Sequence, residues 1–169
     1  LLINASGLHT EDVANRIEEI NLPKIKTVMY AKGHYYLYKK KNPFKHLIYP
    51  LPNSNGHGIH AGMDIENNLR FGPNAKWVDS IEYSFDENTL DEFCNSIKSY
   101  WVNFDPSFLT PDYTGIRSKT VAEGEGSQDF EILDASDHGL ENLIHLQGID
   151  SPGLTSSLSI AAEVISKLG

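Results

Sequence analysis

The sequence predicts an α+β chain organised as two lobes. Three observations carry this prediction: a strand, turn and helix pattern at residues 1–20, the same pattern at residues 143–168, and a block of short strands with one strong helix between them. Because the two ends share one pattern and the middle has another, we expect the chain to leave the first lobe and return to it. The middle block favours a mixed, largely antiparallel sheet.

The opening segment predicts a strand followed by a helix. Residues 1–3 are apolar, and an Asn-Ala-Ser-Gly turn at residues 4–7 interrupts them. A helix is expected at residues 10–20 because Thr10 can cap it, acids occupy its first turn and apolar residues recur at helical spacing. Pro23 marks the boundary that follows.

The middle block predicts short strands at residues 35–38, 46–51, 58–63, 68–71, 115–121 and 129–133, with a loop at residues 52–56. The clearest helix is expected at residues 89–102. There, Thr89-x-x-Glu92 matches a capping box, and the apolar residues share one face. Cys94 lies on that face, so we interpret it as a core residue.

The closing segment predicts a buried strand at residues 143–147, a glycine-containing turn, and a helix at residues 155–168. We expect this last helix to turn one apolar face inward, formed by Leu158, Ala161, Ala162, Ile165 and Leu168.

Composition excludes several classes of protein. The 169 residues carry 14 Lys and Arg against 23 Asp and Glu, a formal net charge of −9, which argues against a nucleic-acid binder. No apolar run approaches the roughly 18 residues of a membrane span. The single cysteine cannot form an internal disulfide, so we expect a reducing, cytoplasmic compartment.

Few motifs in the chain point to chemistry by themselves. Both strand–helix turns consist of small residues, which lets a ligand approach backbone N–H groups, although such turns more commonly only cap helices. Neither GxGxxG nor GxxxxGK[ST] is present. No metal site is predicted, because HExxH is absent and His57 and His60 point to opposite faces of a strand.

Two side chains have both a structural and a functional interpretation. Arg117 lies beside Ile116 in a predicted strand, where it can clamp a carboxylate, but the commoner role is a structural salt bridge with one of the 23 acids. His60, in the GIHAG segment, is either a satisfied strand residue or a catalytic group.

Taken as a set, the segments resemble a known family. They occur in the order NASGLHTEDVA, AKGHYY, HLIYPLP, GIHAGMD, RFGPNAKW, SYW, YTGIRSK and GIDSPGLTSSLSIA. This order is similar to that of the FAD-dependent oxidoreductases of the D-amino-acid-oxidase superfamily, and more closely to the L-2-hydroxyglutarate dehydrogenase and oxidase group. The resemblance extends over essentially the whole chain.

The resemblance implies a two-lobe fold. Residues 1–20 and 136–169 would belong to an incomplete, doubly wound FAD-binding lobe, and residues 21–135 to a substrate-binding lobe. The family's N-terminal GxGxxG segment has no counterpart here, and the sequence does not begin with Met. We therefore expect the chain to be the C-terminal part of a longer flavoprotein, inactive alone and able to bind FAD weakly or not at all.

The resemblance also assigns site residues. Cofactor-binding positions would be Gly148, Ile149, Ser151, Gly153, Leu154 and Thr155 at the start of the last helix, together with Asn4, Ala5 and Gly7. Arg117 would pair with the substrate carboxylate, His60 would be the catalytic base, and Tyr35 would line the substrate pocket.

The function implied is oxidation of a small 2-hydroxy acid, similar to 2-hydroxyglutarate, by hydride transfer to FAD. The chain departs from common family patterns in the presumed pocket, at Lys32 to Tyr36 and at Ala61-Gly62. Two alternatives stay open: an amine or D-amino-acid oxidase of the same superfamily, and a catalytically incomplete fragment or subunit of a split flavoprotein. Partners would then be a small carboxylate substrate and an N-terminal half, or a second copy of the chain.

Overall fold

A computed structural model describes residues 1–51, 58–126 and 128–168. The chain divides into two compact units. Unit 1 comprises Leu1–Ala31, Trp77–Ser80 and Arg117–Gly169, and unit 2 comprises Lys32–Lys76 and Ile81–Ile116. Unit 1 thus takes in residues 21–31 and 117–135 as well as the two end segments.

Eight strands and four α-helices are found in the described part of the chain. The strands are β1 (Leu2–Asn4), β2 (Met29–Tyr38), β3 (Ala61–Met63), β4 (Leu69–Phe71), β5 (Lys76–Val78), β6 (Leu109–Lys119), β7 (Glu131–Leu133) and β8 (Leu143–Gln147). The helices are α1 (Thr10–Ala14), α2 (Leu90–Tyr100), α3 (Ala135–His138) and α4 (Gly153–Ser166). Short 3-10 turns are found at Gly7–His9, Leu22–Lys24, Glu87–Thr89 and Pro106–Phe108. This mixture of helices with a largely antiparallel sheet confirms the predicted fold class.

Unit 1 contains a three-stranded sheet in the order β1-β8-β7. Strand β8 is central and fully buried, as predicted, and its sequence LIHLQ buries the polar His145 and Gln147 together with three apolar residues. It pairs parallel with β1, with Leu2 opposite Leu143, and antiparallel with β7. Two small clusters form the core, one around Ala14 and Leu143 and the other around Ile144 and Val164.

The first helix is shorter than the sequence predicts. Helix α1 ends at Ala14, and the Arg16 and Ile17 amides bond to carbonyls three residues back, which tightens the chain into turns. Glu19 then adopts a left-handed conformation, with φ of 65°. Ile20 still reaches the core, so the apolar periodicity that predicted a longer helix is satisfied by a turn instead.

Unit 2 contains helix α2, strands β3 and β4, and the greater part of β2 and β6, which belong to a five-stranded sheet. The strand order is β3-β4-β2-β5, with β6 also paired to β2. The predicted amphipathic face of α2 supplies Phe93, Cys94 and Ile97 to the core, so Cys94 is a buried core residue as expected. Phe93 contacts the ring of Tyr36 from β2, with centroids 4.6 Å apart.

Two sequence predictions in unit 2 are wrong. Residues 46–51 do not form a strand; only Ile48 bridges to Ala61, because Pro50 has no amide hydrogen to extend the ladder. The capping box of α2 does not form either. Thr89 instead donates its hydroxyl to the Asp86 carbonyl at 2.7 Å, and Glu92 accepts a hydrogen bond from Asn74.

Some elements differ in extent from the sequence prediction. Pro111 lies within β6 rather than in a loop, and β5 and α3 were not predicted. Helix α3 has a capping box formed by Asp134 and Asp137 and ends at Gly139, whose φ is 86°. The loop predicted at residues 52–56, His57 and Ser127 lie outside the described residues.

The last helix does not bury the face that the sequence predicts. Of the five residues expected inside, Leu158 is 86% exposed and Ile165 is 68% exposed, and the other three are exposed as well. Val164 and Gly153 are the buried positions of α4. The apolar periodicity is real, but within the described residues the sheet of unit 1 covers only one side of this helix. No helix in the described ranges combines the length and apolar character needed to cross a bilayer.

Candidate functional site

The turns that follow β1 and β8 lie at one edge of the unit 1 sheet. The two strands are parallel neighbours, so their carboxyl ends point the same way. Each is followed by a turn of small residues and then by a helix, at Gly7–Thr10 after β1 and at Gly153 after β8. Ligands of open α/β sheets bind at the carboxyl ends of such strands, so this edge is the candidate site.

An apolar groove opens at this edge of unit 1, with a volume of about 470 Å³. Five of the nine residues predicted to bind a cofactor line it: Ala5, Gly7, Gly148, Ile149 and Gly153. The inner face of α4 forms another wall, with Ile160 and Val164. The structure therefore brings the two predicted turns together on one cavity.

Two glycines are required by the geometry of the turn after β8. Gly148 has φ of 69°, and a Cβ there would lie 3.0 Å from Oγ1 of Thr120. A Cβ on Gly153 would lie 2.6 Å from the Ile149 side chain. Any larger residue would either strain the backbone or push side chains into the groove.

Helix α4 begins at this turn without a side chain that caps it. Its N-cap position is Pro152, which makes no side-chain hydrogen bond, and its first turn contains no acidic residue. The first intrahelical amide bond is from Ser156 to Pro152. The preceding amides therefore have no partner within the helix, and they form the positive end of a 14-residue dipole.

The other predicted cofactor residues have different surroundings. Ser151, Leu154 and Thr155 are exposed, with Leu154 at 91%, and they do not line the groove. Asn4 is buried behind the first turn. Its side-chain amide donates to the Thr10 carbonyl at 2.9 Å, and its carbonyl oxygen accepts from the Ser6 hydroxyl at 2.6 Å. The buried Asn4 side chain thus stabilises the conformation of the turn after β1.

A buried histidine completes the support of the first turn, and sequence reasoning missed it. His145 Nδ1 lies 3.0 Å from the Asn4 side-chain amide. Because that amide can only donate, Nδ1 accepts, and the proton of the neutral ring is assigned to Nε2, which has no partner among the described residues. Burial lowers the pKa of His145 below its usual value.

An ion pair connects the end of β6 with the turn after β8, and it too was not predicted. Lys119 Nζ lies 2.5 Å from Asp150 Oδ2, and both side chains are largely buried. The preceding residue, Ser118, lines the groove and donates its hydroxyl to the Gly7 carbonyl at 3.3 Å. The end of β6 therefore connects to both turns of the site.

Arg117 lies in β6 immediately before Ser118. Its side chain is half-buried, yet no carboxylate in the described ranges lies within 4.0 Å of its guanidinium nitrogens. The structural salt bridge that composition favours is thus absent among the described residues. A half-buried guanidinium with no internal counter-ion is suited to an external anion.

The other two predicted site residues belong to unit 2. His60 packs its ring against Tyr49, with centroids 4.2 Å apart, and its carbonyl accepts a hydrogen bond from the Gly72 amide. Tyr35 stacks on Tyr113 with centroids 4.4 Å apart.

Tyr35 also lines a hollow of about 230 Å³ that contains Arg70. The Arg70 guanidinium donates to both Asp64 and Asp112, so its charge is already neutralised. Hydrogen bonds from the side chain and backbone of Asn68, with a smaller contribution from Arg70, lower the pKa of Asp64 to about 2. No group of three His, Cys, Asp or Glu in the described ranges is arranged to hold a metal ion.

Comparison with known proteins matches nearly the whole chain to one family. The family model described as "FAD dependent oxidoreductase", DAO, matches residues 1–167. The mitochondrial L-2-hydroxyglutarate dehydrogenase of Arabidopsis thaliana is 31% identical over 99% of this chain and 37% of its own length. A glycerol 3-phosphate dehydrogenase of Caloramator mitchellensis is 28% identical over 97% of this chain and 32% of its own length.

A solved structure shares the fold. It is the dithionite-reduced L-alpha-glycerophosphate oxidase from Mycoplasma pneumoniae with FAD bound. The TM-score is 0.78 at 17% identity, over 98% of this chain and 42% of that one. The chain thus spans about a third of the length of these two curated relatives.

The residues at the groove fit the cofactor that the family name specifies. A planar ring system needs close backbone approach, which the bare Cα atoms of Gly7, Gly148 and Gly153 allow; nothing lies within 4 Å of where a Cβ of Gly7 would be. The uncapped start of α4 is suited to the electron-rich edge of a flavin. With a family match over residues 1–167 and a groove of this kind, the chain belongs to the DAO family of FAD-dependent oxidoreductases.

Proposed function

We propose that this chain supplies the flavin-ring and substrate contacts of an enzyme that oxidises a small 2-hydroxy acid, similar to 2-hydroxyglutarate, at its Cα. The observation that carries the proposal is Arg117, a half-buried guanidinium without an internal counter-ion, directly before a residue that lines the groove. A substrate carboxylate would supply the missing charge.

The cofactor would be held by unit 1. Gly148, Ile149, Gly153 and Gly7 would contact the ring, and exposed backbone and hydroxyl groups of Ser151 and Thr155 would lie at its edge. A bound flavin supplies the acceptor for the hydride that leaves Cα. The Gly153 amide donates to the Asp150 carbonyl, and the amides that follow it in the first turn of α4 would stabilise negative charge on that acceptor.

Binding and proton transfer would be divided between residues of the chain. Arg117 would hold the carboxylate bidentately and thereby fix the direction of the Cα–H bond. His60 would accept the hydroxyl proton, because a neutral imidazole has one ring nitrogen that can accept a proton. Tyr35 would form part of the wall of the substrate pocket in unit 2.

The relatives favour a second candidate substrate. Some are named glycerol 3-phosphate dehydrogenase or oxidase, and a phosphate monoester would also satisfy an unpaired guanidinium. A D-amino acid is a third possibility. Turnover of 2-hydroxyglutarate, glycerol 3-phosphate and a panel of D-amino acids distinguishes the three candidate substrates. It is measured with the intact protein, meaning the longer enzyme to which we propose this chain belongs. Only turnover of 2-hydroxyglutarate supports the leading proposal.

The test of the Arg117 role is Arg117→Lys in the intact enzyme. Lysine keeps the charge but loses the two-point contact, so we expect KM for the acid substrate to rise by about tenfold or more. Arg16→Lys is the matched control, since Arg16 is exposed and also has no ion pair in the described ranges. Unchanged kinetics for Arg117→Lys would remove the clamp from the mechanism.

The exposed face of α4 supports a further part of the proposal. Leu154, Leu158 and Ile165 are exposed in this chain, and relatives are about three times as long. We propose that an N-terminal segment of the same cytoplasmic protein covers this face, and that self-association covers it otherwise. Slower amide exchange in α4 of the intact protein than in residues 1–169 alone would support this, and equal exchange would contradict it.

A further inference from the structure

The ion pair between Lys119 and Asp150 adjoins the apolar groove of unit 1. Both side chains are largely buried, and their charged atoms lie 2.5 Å apart. Within the described residues, the groove itself is lined by no charged side chain. Because desolvating two charges is costly, a largely buried pair adds little net stability, and its place beside the groove calls for a functional explanation.

Asp150 also organises the backbone of the turn after β8. Its amide donates to the Gly148 carbonyl at 3.1 Å, and its own carbonyl accepts from the Gly153 amide at 2.5 Å. Both glycines line the groove, and so does Ile149, the residue before Asp150. Since consecutive Cα atoms are about 3.8 Å apart, Asp150 is fixed next to the lining of the groove.

Lys119 is fixed by its position at the end of β6. The residue before it, Ser118, lines the groove and donates its hydroxyl to the Gly7 carbonyl at 3.3 Å. The residue after it, Thr120, donates its hydroxyl to the Gln128 side chain at 3.2 Å. The ammonium group therefore meets the carboxylate from a strand end that is anchored on both sides.

The sign of each charge matters beside this turn. The amides in the first turn of α4 carry the positive end of the helix dipole. An unpaired carboxylate at Asp150 would oppose that positive end and repel negative charge in the groove, whereas Lys119 neutralises it. Such effects are strong at distances of a few ångströms where little water screens the charges.

We propose that Lys119 and Asp150 are a positioning pair that sets how readily a flavin in the unit 1 groove accepts negative charge. Lys119 cancels the charge of the Asp150 carboxylate, so the start of α4 determines the field at the groove. The pair acts through its charge and through the turn that it holds. The inference rests on the proposed position of the flavin and is independent of the proposed substrate.

A purely structural link between β6 and the turn is the alternative role for this pair. Loss of either partner would break such a link, so both single variants would change the flavin in the same direction. A neutralising pair has opposite electrostatic effects, because Lys119→Met leaves a negative charge and Asp150→Asn leaves a positive one. The sign of the change therefore distinguishes the two roles.

The test is the flavin reduction potential of the intact protein, measured by anaerobic titration against reference dyes without substrate. We expect Lys119→Met to lower the potential and Asp150→Asn to raise it. The double variant Lys119→Met/Asp150→Asn should lie closer to the parent protein than either single variant does. In a fluorescence titration with FAD, Lys119→Met should weaken binding by about tenfold or more, and Asp150→Asn should weaken it less.

A matched control pair lies at the other end of α4. Lys167 Nζ is 2.8 Å from Asp134 Oδ2, and these side chains are 27% and 22% exposed, against 27% and 11% for Lys119 and Asp150. The 14 residues of α4 extend over about 21 Å, more than twice the Debye length of about 8 Å in physiological salt. Lys167→Met and Asp134→Asn should therefore leave the potential and the FAD affinity at the parent values.

Far-UV circular dichroism establishes that each variant is folded. If Lys119→Met alone does not fold, Asp150→Asn should still raise the potential and the double variant should return it toward the parent value. Potentials that shift in one direction in both single variants, that stay constant, or that shift equally in the control pair would overturn the inference. Those results would leave the proposed flavin site standing, whereas an intact protein without bound flavin would overturn both.

Discussion

The two units bury their apolar residues to different degrees. Unit 2 has one continuous core, in which Phe71 and Phe93 are fully buried and aromatic rings contact one another. Unit 1 has two small clusters and leaves a whole apolar helix face exposed. Unit 2 is thus stabilised by its own side chains, whereas unit 1 presents the apolar groove and helix face on which the proposed cofactor site depends.

The largest expected effect comes from breaking the core of unit 2. Phe93→Ala removes a fully buried ring that contacts Tyr36, so we expect the free energy of unfolding to fall by about 3–5 kcal/mol. Leu158→Ala, on the exposed face of α4, is the contrasting variant and should change it by less than about 0.5 kcal/mol. Urea unfolding followed by tryptophan fluorescence measures both. A similar loss in the two variants would show that the exposed face is packed in solution.

An intermediate effect is expected at the turn after β8. Gly148→Ala forces a left-handed alanine and a contact 3.0 Å from Thr120, which also bonds to Gln128, and should cost about 2–3 kcal/mol. Gly124→Ala also has a positive φ but open space, so it isolates the backbone cost of about 1–2 kcal/mol.

Flavin affinity distinguishes these two glycine variants further. Only Gly148 lines the groove, so only Gly148→Ala should weaken FAD binding by the intact protein, as measured by fluorescence titration. Equal FAD affinity in the two variants would contradict the placement of the flavin at this turn.

The smallest expected effect is a loss of stability around His145, in unit 1, at acidic pH. The pKa of buried His145 is lowered in the folded protein, so the unfolded chain binds the proton more readily. Stability is therefore full above about pH 6.5 and falls as the pH drops below that value toward the lowered pKa. We expect β8 amides to lose protection from hydrogen exchange as the pH falls below about 6.5, after correction for intrinsic rates.

A matched pair of variants sharpens the pH prediction. His145→Gln keeps an acceptor for Asn4 but cannot titrate, so the pH dependence of β8 protection should flatten. His46→Gln changes an exposed histidine and should leave that dependence as it is in the parent protein. A steep pH dependence that survives His145→Gln would assign it to another group.

Local pattern predicted much of the fold. Strand β8 was predicted from a short, mainly apolar run, and the buried face of α2 was predicted from apolar residues at helical spacing. The pattern failed where tertiary contacts decided the outcome. Residues 46–51 lack a partner strand, and α1 stops at Ala14 although apolar residues continue to Ile20.

The roles in the candidate site were assigned only through resemblance. The small-residue turn at Gly148 and Gly153 and the placement of Arg117 beside Ile116 suggested a functional interpretation from the residues themselves, but neither is a fingerprint. The support around them was missed because it joins distant positions: Asn4 with His145, and Lys119 with Asp150. An Asp in a glycine turn predicts no specific partner from spacing alone.

The most direct test of the account is the absorbance spectrum of the intact protein, purified with and without added FAD. We expect a bound flavin spectrum, bleached on addition of the 2-hydroxy acid substrate, and a marked loss of bound flavin in Gly148→Ala but not in Gly124→Ala. A colourless protein that is indifferent to FAD, or equal flavin content in both variants, would contradict the assignment of the unit 1 groove as the flavin site.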